Sequence, residues 1–277
     1  MKNWVFYGTL ALPLVAFGLC GYILWRWGSN TVYAIVLLLD VPVLLGIILR
    51  LWRANKAWFR RSTPIPREDP LYHRTLDLAV KMGVPQHNLY VADPALMAKR
   101  RVVGAVNVGV RRHAIMLSEF FLKELTQDEQ DAIIAHELAH TKMGHGLRRA
   151  KASLSYYLAG WNLFICSSFP NSQASNLPDS WVGSIGGAGL VLLLAGITIV
   201  RTSFALDSQT EADEIAVKVL GTGDALISGM KKLIESPEIR SDPKKYRRAH
   251  QSLYDRLVRI QTLSRSLAAQ SHSRQET

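Results

Sequence analysis

Three residues within the segment D-A-I-I-A-H-E-L-A-H-T-K-M-G-H-G, residues 131–146, have the types and spacing of a metal-dependent hydrolase. His136 and His140 are little more than one helical turn apart, so on a helix both imidazoles project from one face and can bind one Zn²⁺. Glu137 can take a proton from a water molecule that attacks a peptide carbonyl. The pattern predicts a zinc peptidase, and two surface histidines on an ordinary helix are the alternative interpretation.

The surrounding residues predict the helix that positions this motif, called the zinc helix because it carries His136 and His140. Thr126 followed by Glu129 fits a capping box, and acidic side chains in the first turn suit the positive end of the helix dipole. Gly144 and Gly146 mark where the helix should end. An apolar stripe should bury the helix, and it consists of Ala132, Ile133, Ala135, Leu138 and Ala139.

The apolar residues of the chain are concentrated in four runs. The chain has 277 residues, of which 48% are hydrophobic, and a formal net charge of +11. The first run is long enough to cross a hydrocarbon core of about 30 Å, and it is too long for a signal peptide and lacks a cleavage site. We therefore predict four transmembrane helices in two hairpins, at residues 4–25, 31–49, about 152–169 and 181–200.

The basic residues predict the orientation of these spans. Lys and Arg follow the second and fourth runs and precede the third, whereas the opposite loops, residues 28–30 and 170–180, contain neither. The positive-inside rule therefore places the zinc helix on the cytoplasmic side. The high charge suits this topology and attraction to the lipid bilayer, so nucleic acid is not an expected partner.

Three residues inside the predicted spans bear on chemistry. Cys20 and Cys166 are interpreted as small apolar residues, which excludes a cysteine-ligated zinc site. Asp40 would be costly as a free charge in a span, so it should be protonated, buried or paired. It either lines a polar path for substrate or water, or makes a hydrogen bond between helices.

The fold class predicted for the whole chain is an α-helical membrane protein with four transmembrane helices plus a split, mainly helical α+β zincin-like metallopeptidase domain with a small sheet. The sheet should contain a strand at Asn88–Val91 and a hairpin of Val102–Val110 with Ala114–Leu117. The predicted helices are Leu71–Met82, a short helix within Leu117–Leu125, the zinc helix, most of Ser208–Ile234, and Asp242–Leu267. The domains are hairpin 1 with a basic loop (1–61), the first half of the cytoplasmic metallopeptidase domain (62–151), hairpin 2 (152–200), the second half of the metallopeptidase domain (201–267) and a disordered tail (268–277).

Several features follow one another along the chain: two amino-terminal spans, a predicted strand with Asn107, H-E-L-A-H at 136–140, a second hairpin, E-A-D at 211–213, and H-Q-S-L-Y-D-R-L at 250–257. In the order of these features the chain resembles the HtpX-like family of integral membrane zinc metallopeptidases, whose clan includes the CAAX prenyl endoproteases. Asn107 stands where that family has its N-A-F strand. The resemblance covers nearly the whole chain. It implies one Zn²⁺ per chain and polypeptide substrates.

The third zinc ligand departs from the family pattern. The resemblance places it four residues before Asp213, where this chain has Gln209, a neutral and weaker ligand than a carboxylate. Glu211 is the nearest carboxylate, but two residues turn a helix by about 200°, so it should face away from Gln209. Three interpretations follow: Gln209 coordinates the zinc, the helix rearranges so that Glu211 coordinates it, or the chain is an inactivated form.

Further roles follow only from the resemblance. Asp213 would support the ligand shell, His250 would donate to the oxyanion of the tetrahedral intermediate, and the strand at Asn107 would pair with an extended substrate. The alternatives are a surface aspartate, a solvated histidine and a purely structural strand. His145 is off the shared face and is not expected to be a ligand, and the remaining histidines are interpreted as surface residues: His73, His87, His113 and His272.

The leading hypothesis is a zinc endopeptidase of a prokaryotic plasma (inner) membrane, multi-pass, with a cytoplasmic active site and with membrane or misfolded proteins as substrates in protein quality control. His136 and His140 would bind zinc with Gln209 or Glu211, and Glu137 would be the general base. The alternatives are a catalytically impaired membrane adaptor or regulator that keeps the peptidase fold, and a CAAX-prenyl-type protease.

Overall fold

The computed structural model of the chain describes residues 56–100, 102–108, 113–145, 208–241 and 243–275, with single positions at 45, 49, 53, 148, 191 and 194. The chain divides into two compact units, Met1–Trp52 with Leu147–Asp207, and Arg53–Gly146 with Ser208–Thr277. All of the described segments belong to the second unit.

The predicted transmembrane helices lie outside the described residues, apart from isolated positions, as do Cys20, Asp40 and Cys166. Within the described segments, no helix combines the length and the apolar character needed to cross a membrane.

The second unit contains a small sheet and several helices. Its first segment consists of β1 (Thr63–Pro64), α1 (Pro70–Met82), β2 (Asn88–Val91), α2 (Pro94–Arg100), β3 (Ala105–Val108), β4 (Ala114–Leu117), α3 (Glu119–Glu124) and α4 (Gln127–Lys142). The segment after residue 207 consists of α5 (residues 208–220), α6 (Asp224–Ile234), α7 (Pro237–Arg240) and α8 (Pro243–Gln275). The predicted mainly helical α+β domain with a small sheet is confirmed.

The sheet has four strands in the order β1-β2-β4-β3. The hairpin of β3 and β4 is antiparallel, whereas β2 and β4 are parallel, with Leu89 opposite Ile115. All four residues of β4 are buried, because alternate side chains enter two different apolar clusters. The strand β3 is the last one on its side of the described sheet, and it lies against α4.

The helix α4 begins with the predicted capping box. The Thr126 hydroxyl accepts from the Glu129 N–H, and the Glu129 carboxylate accepts from the Thr126 N–H at 2.8 Å. The helix ends at Lys142, and Gly144 follows with a φ of 63°, a left-handed conformation that glycine adopts without a steric penalty. Its apolar residues contact α1, α6 and β3, so α4 is an interior helix and holds its polar side chains at fixed positions.

The structure adds detail to the predicted elements and corrects one boundary. Most of Ser208–Ile234 is helical, as predicted, and it forms two helices because Gly221 takes a φ of 79° between them. The short helix α2 and strand β1 were not predicted, since neither has a periodic apolar pattern. The final helix does not end at Leu267 in a disordered tail but continues to Gln275, because Ala268, Ala269 and Gln270 favour helix and no Gly or Pro interrupts it.

Candidate metal centre

Two imidazoles of α4 and one carboxamide of α5 meet in the second unit, where His136 is buried and His140 and Gln209 are half-buried. The Nε2 atoms of His136 and His140 are 3.2 Å apart, and Oε1 of Gln209 lies 3.0 Å from Nε2 of His136. The Gln209 amide nitrogen is 3.5 Å from Nε2 of His140. Two segments far apart in the sequence therefore bring these three side chains to one point.

These separations are those of ligands around a single tetrahedral ion. With Zn–N bonds of about 2.0–2.1 Å at tetrahedral angles, two ligand nitrogens are about 3.3 Å apart. Among the described residues, the group of His, Cys, Asp and Glu side chains that could hold a metal is His136, Glu137 and His140, whose candidate atoms all lie within 4.8 Å of one another.

A carboxylate contacts the outer nitrogen of His136. Oδ1 of Asp213 lies 2.8 Å from His136 Nδ1, and Arg256 of α8 binds both Asp213 oxygens, at 2.8 and 2.7 Å. Burial alone would raise the pKa of Asp213, but the hydrogen bonds from Arg256 and the contact with His136 hold it below its usual value. Asp213 is therefore an anion that favours a proton on the outer nitrogen of His136.

His140 has a different outer partner. Its Nδ1 lies 2.8 Å from Nδ1 of His145, and Nε2 of His145 lies 2.9 Å from Oε2 of Glu211. Glu211 therefore contacts His145, whereas Gln209 contacts the two imidazoles of the motif. This matches the half-turn between the two positions on α5.

The outer partners determine where the histidine protons lie. A carboxylate only accepts, so Nε2 of His145 donates to Glu211, and one of the two facing Nδ1 atoms of His140 and His145 donates to the other. Asp213 likewise favours the proton on Nδ1 of His136. The two Nε2 atoms of His136 and His140 face each other across 3.2 Å, where their lone pairs would bind a cation. Burial, with His136 and His145 nearby, lowers the pKa of His140 to about 2, so His140 is neutral.

Glu137 lies beside the two imidazoles and contacts strand β3. Its Oε2 accepts the backbone N–H of Asn107 at 2.8 Å, and its backbone carbonyl accepts from Asn107 Nδ2 at 3.0 Å. Burial raises the pKa of Glu137 above its usual value, although His136, the Asn107 N–H and Arg256 oppose this effect. The carboxylate is thus poorly solvated, which favours its acting as a proton acceptor.

Sequence reasoning missed several residues of the site. Arg256 lies in the segment 250–257 that matches the family, but it was given no role, because no spacing links it to Asp213, 43 residues earlier. His87 was predicted to be a surface residue, and this is wrong, because it is only 2% exposed and bonds to Thr141 at 2.8 Å. Its surroundings, V-P-Q-H-N, have no periodicity that would signal burial. His250 lies on α8, and its side chain is outside the described part of the structure.

An H-E-x-x-H helix next to the edge strand of a small sheet is the arrangement of a metallopeptidase. The sequence profile described as Peptidase family M48 matches residues 67–264. The chain therefore belongs to peptidase family M48, and the predicted relationship to the HtpX and CAAX protease group is confirmed.

Named relatives agree with this family. The chain is 26% identical to a Protease HtpX homolog of Pyrococcus furiosus over 66% of this chain and 63% of that protein. It is 23% identical to the Protease HtpX homolog of Pyrococcus abyssi over 86% and 81%. A Probable CAAX prenyl protease 1 of Schizosaccharomyces pombe is 28% identical over 58% of this chain and 31% of that protein. The chain thus spans less than two thirds of the length of some relatives.

One solved structure has the same fold. The crystal structure of S. mikatae Ste24p superposes with a TM-score of 0.56 and 20% sequence identity, covering 94% of this chain and 66% of that chain. The second unit, with its helices and small sheet, therefore has an M48 and Ste24-like fold.

Proposed function

We propose that this chain is a zinc-dependent endopeptidase that hydrolyses peptide bonds of membrane or misfolded proteins. The observation that carries the proposal is the pair of imidazole Nε2 atoms 3.2 Å apart, with a carboxylate oxygen of Glu137 within 4.8 Å of a ring nitrogen of each histidine. Membership of peptidase family M48 supports peptide-bond hydrolysis.

One Zn²⁺ would be held by His136, His140 and Gln209. The bound ion supplies Lewis acidity, which polarises a carbonyl and makes a water molecule more acidic. Gln209 suits the third position because it contacts the imidazoles, whereas Glu211 is held against His145. A neutral amide binds zinc more weakly than a carboxylate, so we expect a site of reduced affinity.

The remaining steps belong to the side chains of the chain. Glu137 takes a proton from the attacking water as general base. Asp213, held by Arg256, keeps the His136 ring oriented. His250 on α8 is proposed as a donor to the oxyanion, as the family resemblance implies.

Strand β3 is proposed to bind the substrate backbone by strand addition. In an antiparallel pair of strands, hydrogen-bonded and non-hydrogen-bonded residue pairs alternate. Ser118 donates its N–H to the carbonyl of Gly104, so the next pairs of the other kind include Ala105 and Asn107. The backbone N–H and C=O groups of Ala105 and Asn107 therefore point away from β4. The Asn107 N–H already donates to Glu137. The substrate would therefore pair with the Asn107 carbonyl and with Ala105, next to the general base.

The proposed location is a prokaryotic plasma (inner) membrane, with the second unit on the cytoplasmic side. Support comes from the four apolar runs and from the Lys and Arg residues that flank them.

The test is metal analysis of the purified full chain together with a casein or membrane-protein degradation assay, with wild type beside Glu137→Ala. Active wild type with one zinc per chain and inactive Glu137→Ala support the proposal. If zinc-loaded wild type cleaves nothing and Gln209→Glu does not restore cleavage, the enzyme proposal fails.

Gln209 itself favours a second candidate, a catalytically impaired adaptor or regulator that keeps the peptidase fold. This candidate predicts weak or absent zinc and a cellular phenotype that is indifferent to Glu137→Ala. Metal analysis distinguishes the two cheaply.

The similarity to a probable CAAX prenyl protease favours a third candidate, which shares the chemistry. Preferential cleavage of a farnesylated CAAX peptide over its unmodified counterpart would identify it.

A further inference from the structure

A buried histidine outside the metal centre is connected to it by hydrogen bonds. His87 precedes β2 and is 2% exposed, with Nδ1 2.7 Å from the carbonyl of Pro85 and Nε2 2.8 Å from Oγ1 of Thr141. Thr141 lies one helical turn after Glu137 on α4. None of the steps proposed above uses either side chain.

The hydrogen bonds of His87 have a fixed direction. The carbonyl of Pro85 can only accept, so the ring carries its proton on Nδ1 and Nε2 must accept. Burial lowers the pKa of His87 to about 4. The hydrogen bond to Pro85 acts to raise this pKa and the nearby His113 acts to lower it, so the ring is neutral near pH 7. The Thr141 hydroxyl therefore donates its proton to His87 and keeps its lone pairs for another donor.

That donor is the side chain of Asn107. Its Nδ2 donates to Oγ1 of Thr141 as well as to the Glu137 carbonyl, and its backbone N–H donates to the Glu137 carboxylate. Asn107 therefore contacts α4 at three points, one of which is the proposed general base. A hydrogen-bonded chain runs from the Pro85 carbonyl through His87, Thr141 and Asn107 to Glu137.

We propose that His87 and Thr141 are positioning residues for Glu137. The imidazole orients the Thr141 hydroxyl, the hydroxyl orients the Asn107 carboxamide, and the backbone of β3 thereby presents the Asn107 N–H to the carboxylate. The inference rests on the proposed function, since Glu137 is taken as the general base. It differs from a purely structural role because it predicts an effect on the rate of the chemical step.

The first test compares Thr141→Val with Thr141→Ser. Valine keeps the shape of the side chain and removes both hydrogen bonds, so we expect kcat to fall by about tenfold with little change in KM, because the base is less well held. Serine keeps the hydroxyl and should stay within about twofold of wild type by the same reasoning. Both variants should keep the zinc content of wild type.

A second comparison uses the two neighbouring histidines. The ring of His113 lies 5.1 Å from that of His87 but is not part of the hydrogen-bonded chain. His87→Leu should lower kcat, His87→Gln should recover part of it because its amide oxygen can accept from Thr141, and His113→Leu should leave kcat unchanged. If Thr141→Val does not fold, the comparison of the His87 variants with His113→Leu still tests whether His87 positions Glu137.

A measurement without substrate separates this inference from the proposed function. In zinc-free protein labelled with ¹⁵N-asparagine, hydrogen exchange of the Asn107 backbone amide should be about tenfold faster in Thr141→Val than in wild type, because opening of that bond becomes easier. If neither zinc-loaded wild type nor Gln209→Glu hydrolyses any substrate, the proposed function fails and the exchange rate alone decides this inference. The inference is overturned if Thr141→Val and His87→Leu keep the kcat of wild type. If the chain is inactive, it is overturned by an exchange rate at Asn107 that does not change in Thr141→Val.

Discussion

Glu129 is buried and Glu137 is half-buried on the same helix, and the surroundings of their carboxylates are opposite. Glu129 accepts hydrogen bonds from Lys232, the Ser228 hydroxyl and the Thr126 N–H, at 2.6–2.8 Å. Among the described residues, the Glu137 carboxylate accepts one hydrogen bond, from the Asn107 N–H. The first carboxylate is therefore fully compensated for its loss of water, and the second is not.

The pKa values of the two carboxyl groups move in opposite directions. Burial acts to raise the pKa of Glu129, but Lys232, Ser228 and Thr126 together lower it to about 2. For Glu137 the effect of burial prevails, and its pKa is raised. A cation at the imidazoles would lower it again. The comparison teaches that the number of donors around a buried glutamate separates a structural carboxylate from a reactive one.

The largest expected effect comes from exchanging each glutamate for glutamine. Glu137→Gln removes the proton acceptor, so we expect cleavage to fall by about 10²–10⁴-fold, the usual contribution of a general base, with zinc content and thermal stability retained. Glu129→Gln should leave the activity of the folded protein unchanged but destabilise it by about 1.5–3 kcal/mol, because its charged hydrogen bonds are lost.

Activity per mole of folded protein and thermal unfolding of both variants measure this contrast. If Glu129→Gln lost activity without losing stability, or Glu137→Gln lost stability without losing activity, the division between the two carboxylates would be wrong.

The next effect concerns Asp213, a buried carboxylate that is compensated like Glu129 but contacts a proposed ligand. Asp213→Ala removes the acceptor of the His136 ring and leaves Arg256 without its partner, so zinc affinity should fall by about 10–100-fold. Titration with a competing chromophoric chelator measures it.

Glu214→Ala is the matched control, because Glu214 is the exposed neighbour of Asp213 on α5 and carries the same charge. Equal losses of affinity in the two variants would show that general charge, and not the contact with His136, governs zinc binding.

The sequence predicted the parts of the molecule that depend on local patterns. The capping box at Thr126, the strand at Asn88–Val91 and the β3–β4 hairpin are each encoded by a few neighbouring residues, and the structure has all three. The parallel pairing of β2 with β4 has no such local signal, because other elements lie between the two strands.

The site shows the same limit. The two histidines and the glutamate of the motif share one helix, so their spacing is sufficient to predict that they lie together. Residues that reach them from other segments, Arg256 and His87, follow from packing between distant parts of the chain and were missed. As candidates for the third zinc ligand, Gln209 and Glu211 could be ranked only by the half-turn of helix between them. Which of them binds zinc stays a prediction.

That ranking gives a smaller expected effect. Gln209→Glu places a charged oxygen at the position that lies 3.0 Å from Nε2 of His136, so zinc affinity should rise by roughly tenfold. Glu211→Gln keeps a side chain of the same size against His145 and should not produce any such gain. If Glu211→Gln instead abolished zinc binding and Gln209→Glu had no effect, Glu211 would be the third ligand.

The smallest expected effect tests the compensated side of the comparison through pH. Lys232→Met leaves Glu129 buried with fewer donors, and because Lys232 is 40% exposed we expect a loss of only about 1 kcal/mol at pH 7. The folded-state pKa of Glu129 is lowered to about 2, from an ordinary value of 4.5. The contribution of the ionised Glu129 carboxylate to the free energy of unfolding is therefore fully present above about pH 4.5, and it is lost as the pH falls toward 2.

The stability difference between wild type and Lys232→Met should accordingly shrink below pH 4.5, as followed by chemical unfolding at several pH values. Lys231→Met is the control, since Lys231 is the exposed neighbour on α6 and its replacement should change stability little at any pH. A difference between wild type and Lys232→Met that stays constant down to pH 2.5 would mean that Lys232 stabilises α6 by packing its aliphatic stem, and that Glu129 depends on Ser228 and the helix cap for its charge.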